Sequence, residues 1–424
     1  MTLTTVFIFL VFLYSLISQW LERTVFTAPI LFTGIGALTI ILLPQALSEL
    51  VMDRKALLLI AELGLVMTLF TDASRISLNM LRGNRGLPIR LLSTGMLLTI
   101  FLGAMAAMVL FDGLSWWEAG ILGAILAPTD AGLGQIIVNS PQVPQRIRQA
   151  LNVEAGLNDG LSVPFLMCFI ALALVENQST GAASVLSRFL GEQLGYGMLI
   201  GLGAGLGGGA LLGIARRKGW MAAPLAQLGV VTIPLLCVMA SEEVHASMFI
   251  AAFVAGLATQ IGFREVGRHS VDFTEDWGQL LNLFVFFLFG MFVAQSWAAF
   301  TPAMLLYALA SLTVIRMLPV ALALRGTGLS CASLLFTGWF GPRGLASIVL
   351  GLVYLEQQAN LPGEDTIRLT IMLTVLLSIV LHGMSALPGI KLYARKTAAL
   401  NAYAPELQAI DGGPSGMTHP PHNM

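Results

Sequence analysis

Charge is what this sequence has least of. Only 11% of its 424 residues are Asp, Glu, Lys or Arg, against 56% apolar ones, where a water-soluble domain carries roughly 25% charged residues. So few charges cannot cover a surface that faces water on all sides, which excludes a soluble globular fold and leaves lipid as the solvent. Net charge is missing too: the formal value is −1, with no electrostatic footprint for nucleic acid or an acidic partner. The three cysteines, Cys168, Cys237 and Cys331, lie in apolar runs without CxxC or Cys/His spacing. No disulfide framework, resident metal or other cofactor is therefore expected. The five histidines (His245, His269, His382, His419 and His422) include no His-Glu-x-x-His pair, which excludes a helix-borne zinc hydrolase. Residue-by-residue alternation of apolar and polar positions is absent, and with it a membrane β-barrel. The first apolar run, Val6 to Ile17, has neither a basic leader nor a small-residue cleavage site, and it reads as a retained helix rather than a signal peptide.

What is present is a succession of long apolar runs. A helix needs about 20 apolar residues to cross the hydrocarbon core. On that measure there are about thirteen candidate transmembrane helices, at 5–21, 28–44, 55–73, 88–111, 117–138, 149–175, 189–215, 223–240, 245–262, 277–295, 300–324, 331–355 and 366–392. The expected fold is an all-α polytopic membrane protein. With the N-terminus placed outside, sixteen of the 22 basic residues fall on the inner side: Arg23, Arg75, Arg82, Arg85, Arg90, Arg146, Arg148, Arg216, Arg217, Lys218, Arg264, Arg268, Arg325, Lys391, Arg395 and Lys396. Four (Arg54, Lys55, Arg188 and Arg368) fall outside, and Arg316 and Arg343 lie within helices. The bias predicts a cytoplasmic C-terminus in a cell (inner) membrane. The Pro-, Gly- and His-containing tail, 397–424, is expected to be disordered. The glycine run GLGAGLGGG at 201–209 lacks the strand a phosphate-binding fingerprint requires and reads as a close-packing helix face.

Ionisable residues in mid-membrane are costly, at least about 2.5–3.5 kcal/mol each, and are functional candidates by default. The deep ones are Glu62, Asp72, Asp130, Glu154, Asp159, Arg316 and Arg343. Asp72, close to Arg75, reads as a solvated helix end. The fifth span contains Ala127-Pro128-Thr129-Asp130-Ala131-Gly132 and the twelfth contains Phe340-Gly341-Pro342-Arg343-Gly344. Pro128 and the Gly341-Pro342 pair should break these helices. Seven spans apart, the two run in opposite directions, as an inverted repeat with crossing broken helices would require. A carboxylate suits the positive half-helix N-termini there and an arginine the negative C-termini. The alternative is a pair of ordinary proline kinks.

In the sixth span, Ala155, Asn158, Asp159 and Ser162 share one face, with Glu154 beside it. Asp159 can either carry a proton or bind a hard monovalent cation through oxygen, and one carboxylate cannot do both at once. That competition is the minimal chemistry of exchange. Glu154 requires a countercharge, and the deep candidates are Arg316 and Arg343, giving a structural ion pair with one of them.

At the Thr129-Asp130 break, the Glu154…Asn158-Asp159 segment, the Phe340–Gly344 segment and Arg316, the chain resembles the NhaP-like sodium/proton antiporters of the cation:proton antiporter superfamily. The resemblance extends over nearly all thirteen spans. It implies a secondary active antiporter exchanging Na+, Li+ or K+ for H+, with Asp159 as the ion-binding and proton-carrying carboxylate. By the same resemblance, Asp130 and Thr129 are its partners and Asn158 braces the site. It also implies a homodimer in which a core (88–175 and 300–396) moves against dimerisation helices (1–87 and 176–299). Two positions depart from the family pattern. Ala131 follows Asp130 where a proline is usual, and Ala155 follows Glu154 where close relatives carry a serine ligand, leaving Ser162 or water to supply that oxygen. A channel and, from another class, an intramembrane hydrolase using Asp130 and Asp159 as an aspartyl dyad are the alternative readings. Asn158 does not titrate, so one-for-one electroneutral exchange is expected.

Overall fold

A computed structural model of the protein describes residues 3–21, 24–43, 54–75, 86–178, 187, 189–263, 272–356, 361–401 and 403–408. Among these residues there are helices and turns but no strand. The helices are α1 (Leu3–Leu21), α2 (Ala28–Leu42), α3 (Arg54–Arg75), α4 (Gly86–Leu110, with a π-helical stretch at Leu91–Gly95), α5 (Trp116–Ile125), α6 (Ala131–Val138), α7 (Gln145–Gln178) and α8 (Gly197–Arg217, preceded by a π-helical stretch, Phe189–Tyr196). They continue as α9 (Ala223–Glu243), α10 (Met248–Gly262), α11 (Asp272–Gln295), α12 (Pro302–Leu312), α13 (Val314–Ala323), α14 (Cys331–Trp339), α15 (Leu345–Glu356) and α16 (Glu364–Ala398).

Every span expected from the sequence contains helix. Eight helical stretches among the described residues are long and apolar enough to cross a membrane, and Ala28–Leu42, Met248–Gly262 and Leu345–Leu355 are shorter apolar helices. Large apolar side chains point outward along one face of α1 from Ile8 to Trp20; a helix satisfies its backbone within itself, as lipid demands. The fifth and twelfth spans are interrupted, as the prolines predict. The eleventh is interrupted as well, at Thr313 (φ −113°, ψ −94°), where no proline or glycine marks the sequence.

The closest packing pairs form two sets, which meet where α3 packs on α7 and α15. In one, α2 lies on α11, α3 on α10 and α11, and α8 on α10; in the other, α4 and α7 lie on α5, α12 on α16, and α13 on α14. The α8 glycines make a helix face, as read from the sequence: Gly201, Gly205 and Gly209 abut the backbone of Ala251, Ala255 and Thr259 on α10.

The first part of the tail departs from expectation. Thr397 is still helical, a turn forms at Pro405–Leu407, and Glu406 is buried at 2% exposure. Disorder fails there because polar partners receive the chain. Residues 409–424, and the expected inner residues Arg23, Arg82, Arg85, Arg264 and Arg268 and outer residue Arg188, lie outside the described residues.

Candidate functional site

Pro128 has no N–H and cannot continue α5, which stops at Ile125; the chain runs extended and restarts as α6 with Asp130 as its N-cap (φ −77°, ψ 118°). Asp130 Oδ1 accepts the Leu133 N–H at 2.8 Å. The second break places its own helix start alongside: Asp130 Oδ2 accepts the Leu345 N–H of α15 at 2.5 Å, and the Asp130 N–H donates to the Pro342 carbonyl at 2.8 Å. One carboxylate thus caps two half-helices whose positive ends converge on it. Gly344 is what permits the approach, because a Cβ there would fall on the Asp130 carboxylate.

Arg343 is the counterpart at the negative ends. It is fully buried, and its Nη1 donates to the carbonyls of Pro128 and Gly341, both at 3.2 Å. Ser347 donates to the Ile125 carbonyl in the last turn of α5 at 2.7 Å. The breaks are therefore a joined crossing, not separate kinks.

Helix α7 lies beside the crossing. Asn158 Nδ2 donates to Thr129 Oγ1 at 2.7 Å. Asp159 is 7% exposed, and its Oδ1 and the Asn158 Oδ1 are buried without a hydrogen-bond partner. Ser162 turns its hydroxyl back to the Asp159 carbonyl at 2.8 Å, a local serine–backbone bond. Glu154 pairs with Arg316, not Arg343: Oε1 lies 2.6 Å from Nη1, with both side chains 2% exposed. The unforeseen break at Thr313 immediately precedes Arg316, and Gly341 lies against the Arg316 guanidinium. A small cavity between α6, α7 and the crossing is lined by Thr129, Asp130, Gly134, Asn152, Ala155 and Phe340.

Three participants escaped the sequence reading, while Asp72, read as a solvated helix end, lies half-buried in the last turn of α3. Ser347, Ser378 and His382 hold backbone groups at the breaks. A signal existed for two of them, since Thr370, Thr374, Ser378 and His382 recur every four residues along an apolar span, a buried polar stripe like that of the sixth.

This geometry agrees with comparisons to known proteins. A chain called the K(+)/H(+) antiporter NhaP2 from Shewanella sp. (strain MR-4) is 25% identical over 345 residues, covering 78% of this chain and 57% of that one. The K(+)/H(+) antiporter NhaP from Alkalimonas amylolytica is 27% identical over 342 residues, covering 78% and 56%. The chain thus spans a little over half the length of these curated relatives. In structure, the sodium proton antiporter MjNhaP1 from Methanocaldococcus jannaschii shares the fold with a TM-score of 0.66 at 19% identity, over 90% of this chain and 98% of that one. The family model described as "Sodium/hydrogen exchanger, transmembrane" matches residues 6–390, and the chain belongs to that family.

Proposed function

We propose that this chain is a secondary antiporter that exchanges a monovalent cation for protons by alternating access. The observation that carries the reading is the buried Asp159 carboxylate, with one oxygen unpartnered, beside a crossing of two broken helices. A carboxylate so placed can be neutralised by a proton or by a cation, but not by both. The unpartnered Asn158 oxygen and the Thr129 hydroxyl are further oxygen donors suited to a hard cation. Asp130 balances the helix ends: both its oxygens receive backbone N–H groups. Both oxygens thus serve helix starts, the role of an electrostatic cap, which favours transport over hydrolysis. Where close relatives carry a serine, Ala155 lines the cavity with a methyl group, and Ser162 spends its hydroxyl proton on the helix backbone. The Ser162 oxygen keeps its lone pairs, so Ser162 or water would supply that ligand.

The cavity reaches Val138 and Leu151, near helix ends that the positive-inside bias places in the cytoplasm of an inner-membrane protein with its N-terminus outside. We read the two packing groups as a moving core (88–175 and 300–396) and a dimerisation scaffold (1–87 and 176–299) of a homodimer. Names of relatives speak for K+ and that of the structural neighbour for Na+, so Na+, Li+ and K+ are all carried as candidate substrates. The test is proton flux in proteoliposomes under imposed Na+, Li+ or K+ gradients. Asp159→Asn should abolish the flux while folding stays near normal, because an amide cannot carry the competing proton. Robust cation-driven flux in that variant would remove Asp159 from the mechanism.

A further inference from the structure

The interruption between α14 and α15 leaves backbone groups that no helix satisfies. Two of them are held from the side by α16. The Arg343 N–H donates to Ser378 Oγ at 2.6 Å. Ser378 Oγ lies 3.2 Å from His382 Nδ1, which also lies 3.0 Å from the Ser378 carbonyl. On the far side of the ring, His382 Nε2 lies 2.9 Å from the Trp339 carbonyl, the last residue of α14. The imidazole stacks on the Trp339 indole with centroids 4.9 Å apart, and both Ser378 and His382 are buried.

A neutral ring with its proton on Nε2 donates to Trp339 and accepts from the Ser378 hydroxyl, whose oxygen in turn accepts from Arg343. The opposite tautomer donates from Nδ1 to the Ser378 carbonyl but sets a lone pair against the Trp339 carbonyl. The first turns the Nδ1 lone pair to the Ser378 hydroxyl beside that carbonyl and keeps both ends of the chain bonded. The chain Arg343 N–H, Ser378, His382, Trp339 C=O therefore bridges, through side chains, the N–H and C=O that an unbroken helix would have joined; the Trp339 carbonyl also accepts the Gly341 N–H at 2.9 Å. Both residues it grips border the crossing: Arg343 reaches the Pro128 carbonyl, and two residues further on Leu345 donates to Asp130.

We propose that Ser378 and His382 are positioning residues whose hydrogen-bonded bracket fixes the α14–α15 interruption and so sets the geometry in which the Asp130–Asp159 region binds its cation. The inference rests on the cation site proposed above. It predicts an effect on cation affinity rather than only on folding.

The experiment uses the full chain in proteoliposomes and compares His382→Phe, His382→Gln, Ser378→Ala and the Ser378→Ala/His382→Phe pair. Cation-driven proton flux is measured against cation concentration per folded transporter, together with amide exchange over residues 340–346. His382→Phe keeps a ring over Trp339 but removes both polar ends, and should raise the cation KM about tenfold, the scale of a lost buried hydrogen bond, while amide exchange over 340–346 accelerates. His382→Gln, which can donate at one end and accept at the other, should restore most of both. The double variant should be no worse than His382→Phe, because the two side chains act as one unit. Should His382→Phe fail to fold, Ser378→Ala carries the same two readouts. A KM within about twofold of the parent, unchanged exchange over 340–346, or additive losses would overturn the bracket. Asp159→Asn is run alongside. Flux that survives there sinks the cation site and leaves the exchange data to decide the bracket. Flux lost there with parental behaviour in His382→Phe and Ser378→Ala sinks the bracket alone.

Discussion

At the scale of single residues, burial decides which charges can be lost. Glu154 and Arg316 face each other 2.6 Å apart at 2% exposure, and either one alone would be an uncompensated ion in a medium without water. Removing one partner of such a pair typically costs about 3–5 kcal/mol. Glu154→Gln and Arg316→Met should each lower yield and thermal stability in detergent, and the double variant should recover part of the loss. Full stability of either single variant would show that the pair contributes nothing. Asp130 is sensitive in another way. Its two oxygens accept two backbone N–H groups, so in Asp130→Asn one amide N–H must face another N–H whichever way the side chain flips. Transport should fall by at least about tenfold, the scale of a buried donor left unsatisfied; parental flux would count against the crossing as the site.

At the scale of elements, helix ends are the working parts. Gly344 is the point at which α15 approaches Asp130, and Gly344→Ala would force a Cβ into that carboxylate. We expect loss of flux, with destabilisation of about 1–3 kcal/mol from overpacking, measured as a fall in melting temperature. The tail supplies a second helix-end contact. Glu406 Oε1 accepts the Ser330 N–H at 2.6 Å and the Ser333 hydroxyl at 2.7 Å at the start of α14, while Arg146 of α7 donates to the Pro405 carbonyl at 2.8 Å. Burial alone would raise the Glu406 carboxyl, but hydrogen bonds from Ser330 and Ser333 outweigh it and hold the group below its usual range. A depressed folded value means that the docking contribution is complete above the ordinary glutamate pKa of about 4.3 and is lost as pH falls through the folded value. Amide protection over 399–408, corrected for the intrinsic slowing of exchange in acid, should be high at neutral pH and fall as pH drops below the ordinary glutamate value, and Glu406→Gln should lower it at neutral pH. Protection that ignores both changes would mean that the carboxylate does not hold the tail.

At the scale of the whole molecule, the charge moved per cycle is the observable. In the exchange proposed above, with Asp130 fixed between two helix starts and Asn158 unable to titrate, one carboxylate would alternate between a cation and a proton. That reading predicts one-for-one exchange with no net charge transfer. A cycle that did move a charge would respond to voltage by about 2.3 kcal/mol per 100 mV. Cation-driven proton flux in tight proteoliposomes should therefore be indifferent to a potential imposed with valinomycin and potassium, or with a lipophilic ion if potassium is itself carried. A rate that rises or falls steeply with potential would mean that more than one proton moves per cation and would end the single-carboxylate account.

Composition and period determined the membrane fold, because lipid leaves helices as the answer to long apolar runs. Chemistry local to a few residues marked the two main breaks, at Pro128 and Gly341-Pro342. Yet Pro164, Pro234, Pro319 and Pro388 stand inside continuous helices, so tertiary structure decided which prolines interrupt a helix. The buried charges were equally legible, since an ionisable group in an apolar run announces its own cost. Even the Ser115–Glu118 capping box that starts α5, with Glu118 reaching on to the Gly363 N–H at 2.7 Å, has its first half in sequence spacing. What depended on which residues meet across long chain separations was settled by tertiary structure alone. Glu154 had two possible arginines, and the break at Thr313 beside Arg316, unmarked by any breaker residue, accompanies the choice. The first part of the tail, expected to be disordered for its Pro, Gly and His content, is held where α14 offers it a helix start. In each case the deciding quantity is a pairwise distance between segments, and distance between segments is not a property of either one.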